Sequence, residues 1–342
     1  MRIGVPREIK DGEFRVALTP AGVAQLTNVV VEPGAGAGVG FADADYVAAG
    51  AALGDAWECE LVVKVKELQP PEYRKPRRAQ TVFGFQHFAP EPPLLEAALA
   101  TGATFIAFET VGQQGGRLPI LAPMSAIAGR LAVQAGAWCL QKQNGGSGVL
   151  LPGLDGVPPG KVVILGAGNV GANALAVASG IGAHVTVFAK TERRFAALRS
   201  KFPAAAFRAG FDARAVMNAD LVIGGVLTPG QLSPKLISRK MLAGMRRGSA
   251  LVDVGIDQGG IAETSRPTSH RDPIYTEEGV VHYCVPNMPS ACARTASLAL
   301  ERAVLPYVQM LRRNEWHDDL GTGLQVKAGR IMHAQLARDT GK

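Results

Sequence analysis

The sequence predicts an α/β protein of about two domains, one of them doubly wound. Three observations predict it. The chain has 342 residues, and roughly 100–200 residues make a domain. Short β-branched runs alternate with helix-length segments along most of the chain, the pattern of a largely parallel sheet covered by helices. One such run, Val162-Val-Ile-Leu165, leads straight into a glycine-rich turn that opens a helical stretch, as at the centre of a doubly wound sheet. Apolar residues make up 47% and charged residues 19%, enough aliphatic surface for a core in each domain and far more than a disordered chain carries.

Taken in order, Thr19 and Pro20 read as an N-cap and first helical residue for Ala21 to Leu26, followed by the strand Val29-Val-Val31. The cluster Gly34-Ala-Gly36-Ala-Gly38-Val-Gly40 follows that strand, but Phe41 to Asp45 reads as a turn and cap with no helix-forming run behind it, so the cluster is expected to be a permissive loop. Leu61 to Val65 and Thr81 to Phe85 read as strands, Pro93 to Ala100 as a helix and Thr104 to Phe108 as a further strand. A long amphipathic run, Met124 to Gln143, reads as a connector between domains. Beyond it the strand-like runs Val162 to Leu165, His184 to Phe188, Leu221 to Ile223, Leu251 to Val254 and Val280 to Val285 recur between helix-length segments. Ala296 to Leu311 is apolar at helical spacing and leads to a polar tail ending at Lys342.

The 36 Lys and Arg against 29 Asp and Glu give a net charge of +7, which assists an anionic ligand without implying nucleic acid. The basic run Arg74, Lys75, Arg77, Arg78 has no aromatic ladder and is expected to be a solvated loop. Cys59, Cys139, Cys284 and Cys292 are scattered with no C-x-x-C pair, so a zinc site or redox pair is not expected and a reducing, cytoplasmic setting is. Charges in the first ten residues stand where a secretory signal needs an apolar core. The stretch Val162 to Phe188 lacks acids and bases apart from His184, but its five glycines and two asparagines mark strand, loop, helix and strand rather than a membrane span.

Within that stretch, Gly166-Ala167-Gly168-Asn169-Val170-Gly171 has a strand before it and a helix after it. In this context the glycines serve a tight turn, close approach of backbone to a pyrophosphate, and packing of helix on strand. Dinucleotide binding is the expectation. A fold selective for NAD places an acid at the end of the second strand, against the ribose hydroxyls. Here that position is Ala189, and Lys190, Arg193 and Arg194 follow. A missing carboxylate with cations beside it predicts that NADP(H) is favoured over NAD(H).

Hydride chemistry on such a cofactor needs a proton carrier and cations for an anionic substrate. Arg15 suits a carboxylate clamp because its charge does not titrate. Lys64 and Lys66 share one side of a strand at period two; an edge strand facing solvent is the plain alternative for both. His87 stands past the end of a parallel strand, where ligands of α/β sheets collect. Asp257 ends another strand before a glycine turn, whereas Asp253 lies inside that strand and is expected to be structural. Asn287-Met-Pro289 offers an amide.

Several segments together, Met1-Arg-Ile-Gly-Val-Pro6, Glu13-Phe-Arg15-Val-Ala17, Val63-Lys-Val-Lys66-Glu67, Leu121-Ala-Pro-Met-Ser125, Val252 to Gly260 and His282-Tyr-Cys-Val-Pro-Asn287-Met-Pro289, resemble alanine dehydrogenase, and the match spans nearly the whole chain. The resemblance implies a substrate domain of residues 1–120 and 295–342 with a dinucleotide-binding domain, 121–294, inserted in it. It implies interconversion of L-alanine, or a similar small amino acid, with its 2-oxo acid and ammonia, without a metal, by a soluble homo-oligomer. By position Arg15 and Lys66 would bind substrate and His87 and Asp257 would be the catalytic pair. Ser125, the 166–171 loop, and Asn287 with Met288 would hold the cofactor, and Lys64 returns to its plain reading. The chain departs from the family pattern in three shortened surface regions, near Leu26 to Val29, Ala56 to Glu60 and Ala209 to Ala213. It departs again at Phe88, Pro286 and Ala189. A related class, the nucleotide-binding subunit of transhydrogenase, shares the fold but gives the Arg15, Lys66, His87 and Asp257 set no task, as would a silent cofactor sensor.

Overall fold

In the computed structural model, residues 1–113, 116–226 and 233–341 are described; Lys342, the end of the expected tail, lies outside them. The strands are β1 Ile3–Val5, β2 Val29–Val31, β3 Ala52–Leu53, β4 Leu61–Val63, β5 Thr81–Gly84 and β6 Thr104–Ala107. They continue with β7 Lys161–Leu165, β8 His184–Ala189, β9 Ala206–Ala209, β10 Leu221–Gly224, β11 Ala250–Asp253, β12 Ile274–Glu277 and β13 Val280–Tyr283. β14 Leu324–Lys327 and β15 Arg330–Ile331 close the series. The chain divides into two units, residues Met1–Met124 with Ser290–Lys342, and Ser125–Pro289.

The first unit carries the sheet β15-β14-β6-β5-β4-β1-β2-β3. From β3 to β6 its pairs are parallel. Buried on both faces, these strands read as continuous apolar runs: Leu61, Val62 and Val63 of β4 are all fully buried. Succession reverses between β1 and β4, and the carboxyl ends on either side of such a reversal are where open α/β sheets bind ligands. The segments carrying Arg15, Lys66 and His87 leave β1, β4 and β5 at those ends.

The expected polar tail instead returns to this sheet. β14 pairs antiparallel with β6 and with β15, and the tight reversal between β14 and β15 is made by Ala328 and Gly329 at φ 50° and 76°. Alternation hides the strand in the sequence: Gln325 and Val326 are buried while Lys327 is exposed. The helix Ala293–Arg312 is amphipathic over its whole length and runs through Pro306. Its Glu301, buried, accepts the backbone N–H of Thr19. The expected Thr19 cap is therefore not a side-chain cap within the helix Pro20–Val23; a carboxylate from a distant helix takes the orphan donor. Behind the Gly34 to Gly40 loop a short helix, Asp43–Ala48, does form, with the Asp45 carboxylate accepting the N–H of Ala42 at 2.7 Å. The loop itself serves packing, since a Cβ at Gly38 would lie 2.5 Å from the carbonyl oxygen of Phe14.

The second unit carries the sheet β12-β13-β11-β10-β7-β8-β9, parallel except for the β12–β13 hairpin. β7 lies between β8 and β10, the reversal point of this sheet, and the glycine loop leaves its carboxyl end. Two apolar clusters cover the two faces. One includes Leu175, Ile164 and Val187, the other Val163, Val222 and Leu251. The connector helix, Leu121–Cys139, begins in the first unit and continues into the second. No helix among the described residues is long and apolar enough to cross a membrane.

Candidate active site

Past the end of β4 the chain carries Lys64, Lys66 and Glu67, all buried. Lys64 is not on a solvent-facing edge, because β4 is interior to the sheet. Its ammonium lies 3.2 Å from Glu8 and 3.3 Å from Glu72 and donates to the carbonyl of Lys66 at 2.8 Å. Burial alone would favour the neutral amine; Glu8, and then Glu72, outweigh it and hold Lys64 above the ordinary lysine range. The Glu8 carboxylate also accepts the N–H groups of Val65 and Lys66 at 2.6 and 3.4 Å. Lys64 thus fixes the segment on which Lys66 stands.

Lys66 is 9% exposed, 3.8 Å from Glu67 and 6.0 Å from the centre of the Phe85 ring. That ring stacks on the His87 imidazole at 5.7 Å with only 5° between planes. Glu67 is also paired with Lys10. Burial by itself would raise the Glu67 carboxyl, but Lys66, His87 and Lys10 together bring it down to about 2. Lys66 and His87 therefore share one electrostatic neighbourhood, with Glu67 ionised between cations. Glu109, two residues past β6, accepts the N–H of His87 at 2.8 Å, and one of its oxygens lies 3.8 Å from His87 Nδ1. His87 has φ 47°, an uncommon conformation outside glycine.

Arg15 is 2% exposed, with Nε 2.7 Å and Nη2 2.5 Å from the two oxygens of Glu13 and Nη1 3.2 Å from the sulfur of Met124. This bidentate pairing holds the planar guanidinium in one orientation. Glu13, Glu67 and Glu109 were not singled out from the sequence. An acid acting through a cation has no motif of its own, and only the adjacency of Glu13 to Arg15 and of Glu67 to Lys66 hints at two of them.

In the second unit Gly166 has φ 109°, and a Cβ at Gly171 would stand 1.8 Å from the Gly166 carbonyl oxygen. The loop leads into the helix Asn169–Gly180, and Ala167 packs in its apolar cluster. Over Gly168 a Cβ would meet only the Arg194 guanidinium, at 3.5 Å. That leaves open space at the helix N-terminus with a cation beside it, and the residues present fit the diphosphate of a dinucleotide. Asp257 is exposed in the turn Ile256–Gln258. Asp253 is buried and accepts hydrogen bonds from Ser265 (2.6 Å), Ile261 (2.7 Å) and Gly255 (3.1 Å), a structural acid. Asn287 is half-buried at φ 57°, Met288 is buried and Ser125 is half-buried on the connector helix.

Two family descriptions match, "Alanine dehydrogenase/PNT, N-terminal domain" over residues 4–128 and "Alanine dehydrogenase/PNT, C-terminal domain" over 132–334. The chain belongs to the alanine dehydrogenase/PNT family. It is 47% identical to an alanine dehydrogenase of Halomonas elongata, covering 100% of this chain and 97% of that protein. It is 42% identical to one of Mycobacterium tuberculosis, covering 100% and 97%. A solved L-alanine dehydrogenase superposes with a TM-score of 0.94 at 45% identity, covering 100% of this chain and 99% of that one. A transhydrogenase of Sinorhizobium meliloti superposes with a TM-score of 0.84 at 25% identity, over 98% and 99%.

Membership corrects the expectation about the cofactor. Alanine dehydrogenases work with NAD(H), so the preference for NADP(H) drawn from Ala189, Lys190, Arg193 and Arg194 does not hold. The structure gives a physical reason. Lys190, Arg193 and Arg194 are all exposed, where water and salt weaken discrimination by charge. Arg194 reaches back over Gly168, toward the diphosphate that both cofactors share.

Proposed function

We propose that this chain is an NAD(H)-dependent alanine dehydrogenase, acting in the cytoplasm as a homo-oligomer, with pyruvate and ammonia as its 2-oxo acid and amine partners. The observation that carries the reading is the buried Lys66, Glu67 and His87 cluster at the carboxyl ends of β4 and β5, which a protein that only bound nucleotide would have no use for. Arg15 binds the substrate carboxylate through guanidinium edges that Glu13 has pre-oriented, and Lys66 holds the 2-oxo oxygen. The 166–171 loop, Ser125, Asn287, Met288 and Arg194 bind the cofactor. When bound, the nicotinamide accepts or returns the hydride at the substrate Cα. In the direction of deamination, oxidation leaves an imine. His87, with Asp257, takes the proton from the water that adds and passes one to the departing ammonia, leaving the 2-oxo acid.

The test is NADH consumption with ammonia across a panel of 2-oxo acids. Turnover fastest with pyruvate is the expected result. The likeness to transhydrogenase supplies the competing reading, and NADH binding without turnover on any member of the panel would establish it.

A further inference from the structure

The backbone at His87 is held in a conformation that its side chain does not favour, and one carboxylate accounts for it. Left-handed φ at a residue other than glycine costs on the order of 1–2 kcal/mol and persists where surrounding contacts over-determine it. β5 and β6 are paired with Gly84 opposite Ala107, and Phe108 N–H continues the pairing to Gly84 at 2.9 Å. Glu109 therefore stands beside the chain just where it turns out of β5. The Glu109 carboxylate accepts the N–H of His87 at 2.8 Å and the N–H of Gln86 at 3.2 Å, two consecutive donors turned to one side. The same oxygen lies 3.8 Å from His87 Nδ1. Phe85 lies parallel to the imidazole and limits its rotation.

We propose that Glu109 is the positioning residue for His87. Resting on the acid–base role of His87 given above, the proposal assigns Glu109 two tasks: it fixes the left-handed turn, and it draws the imidazole proton to Nδ1 so that Nε2 is the nitrogen that works on substrate. A carboxylate behind a histidine in this manner sets both tautomer and ring direction.

The experiment is a double-mutant cycle between His87→Ala and Glu109→Ala, with Glu109→Gln as a conservative comparison. NADH, ammonia and pyruvate are the reactants, and the NADH dissociation constant is measured separately. Glu109→Ala should lower kcat about 10- to 100-fold with NADH binding unchanged. Glu109→Gln keeps an acceptor for both amides and should fall between it and the wild type. In the His87→Ala background either replacement should alter kcat less than about twofold, because nothing remains to be positioned. Should the alanine variant fail to fold, the Gln variant in both backgrounds carries the same cycle. A kcat within about twofold of wild type for both Glu109 variants, beside a His87→Ala protein that is nearly inactive, overturns the inference and leaves the role of His87 standing. An equal loss in the His87→Ala background also overturns it. Wild-type turnover by His87→Ala overturns the role of His87 and the inference together.

Discussion

His87 and Lys66 lie close enough to influence the same carboxylate, yet their expected contributions separate in kinetics. Replacing His87 with Ala removes a proton carrier and should lower kcat by roughly 10²–10⁴-fold while leaving NADH binding unchanged. Lys66→Ala removes a cation that meets the substrate in the ground state too, so its KM for pyruvate should rise as well. Glu67 gives a third expectation, in stability. Its folded carboxyl titrates at about 2 against an ordinary 4.5, so its ionised form is favoured in the folded state. Its contribution is fully present above about pH 4.5 and disappears as pH falls through that window toward 2, about 3 kcal/mol in all. Glu67→Gln should therefore show a flatter dependence of unfolding free energy on pH between about 5 and 2.5 than the wild type. Parallel curves in denaturant titrations would place the ion pairs elsewhere. The cations of the site were legible in the sequence because Arg15, Lys66 and His87 sit at strand ends. Their acids were not, since Glu109 meets His87 only through the pairing of β5 with β6, a long-range contact with no local signature.

At the scale of elements, what was legible followed burial. β7, β10 and β11 are buried on both faces and read as unbroken apolar runs. β9, Ala206–Ala209, is an exposed edge strand, and β14 and β15 alternate polar with apolar residues, so neither carries that signal. The glycine loop was legible because its spacing is set by sterics that the structure displays. A methyl group at Gly171 meets a carbonyl oxygen at 1.8 Å, whereas at exposed Gly180, at the end of the same helix, nothing lies within 4 Å. Gly171→Ala should thus push the helix off its strand and weaken NADH binding at least tenfold, roughly 1.4 kcal/mol or more. Gly180→Ala should leave binding unchanged and stabilise the protein by ~0.5–1 kcal/mol, because a helical glycine loses more conformational freedom on folding than alanine does. Fluorescence titration with NADH and thermal unfolding check both. Equal affinities for the two variants would mean that close packing of helix on strand does not shape the phosphate cradle.

The whole chain is built so that one unit is continuous and the other is not. Residues 125–289 include every strand of the second sheet and both apolar clusters that cover it, so this segment has the elements of an independent domain. Residues 1–124 do not. Without the C-terminal segment, β6 loses its antiparallel partner β14, and the Val16 N–H loses Ser297, which accepts from it at 3.0 Å. Thr19 loses Glu301, and Val39 loses the Arg294 guanidinium, which donates to its carbonyl at 2.7 Å. The apolar face of Ala293–Arg312, with Leu300, Val304 and Val308 fully buried, would also be gone. At about 25 cal/mol per Å² of apolar surface, loss of one such helix face exceeds the ~5–15 kcal/mol by which domains are stable. Expressed alone, 125–289 should unfold cooperatively and bind NADH, whereas 1–124 should be unfolded or aggregated. Joining 290–342 to residue 124 through a flexible linker should restore a cooperative transition to the first unit. Circular dichroism melts of the three fragments decide the matter. A cooperative transition for 1–124 alone would show that the returning strands and helix add to a first sheet that is already stable, and that their role lies in the site rather than in folding.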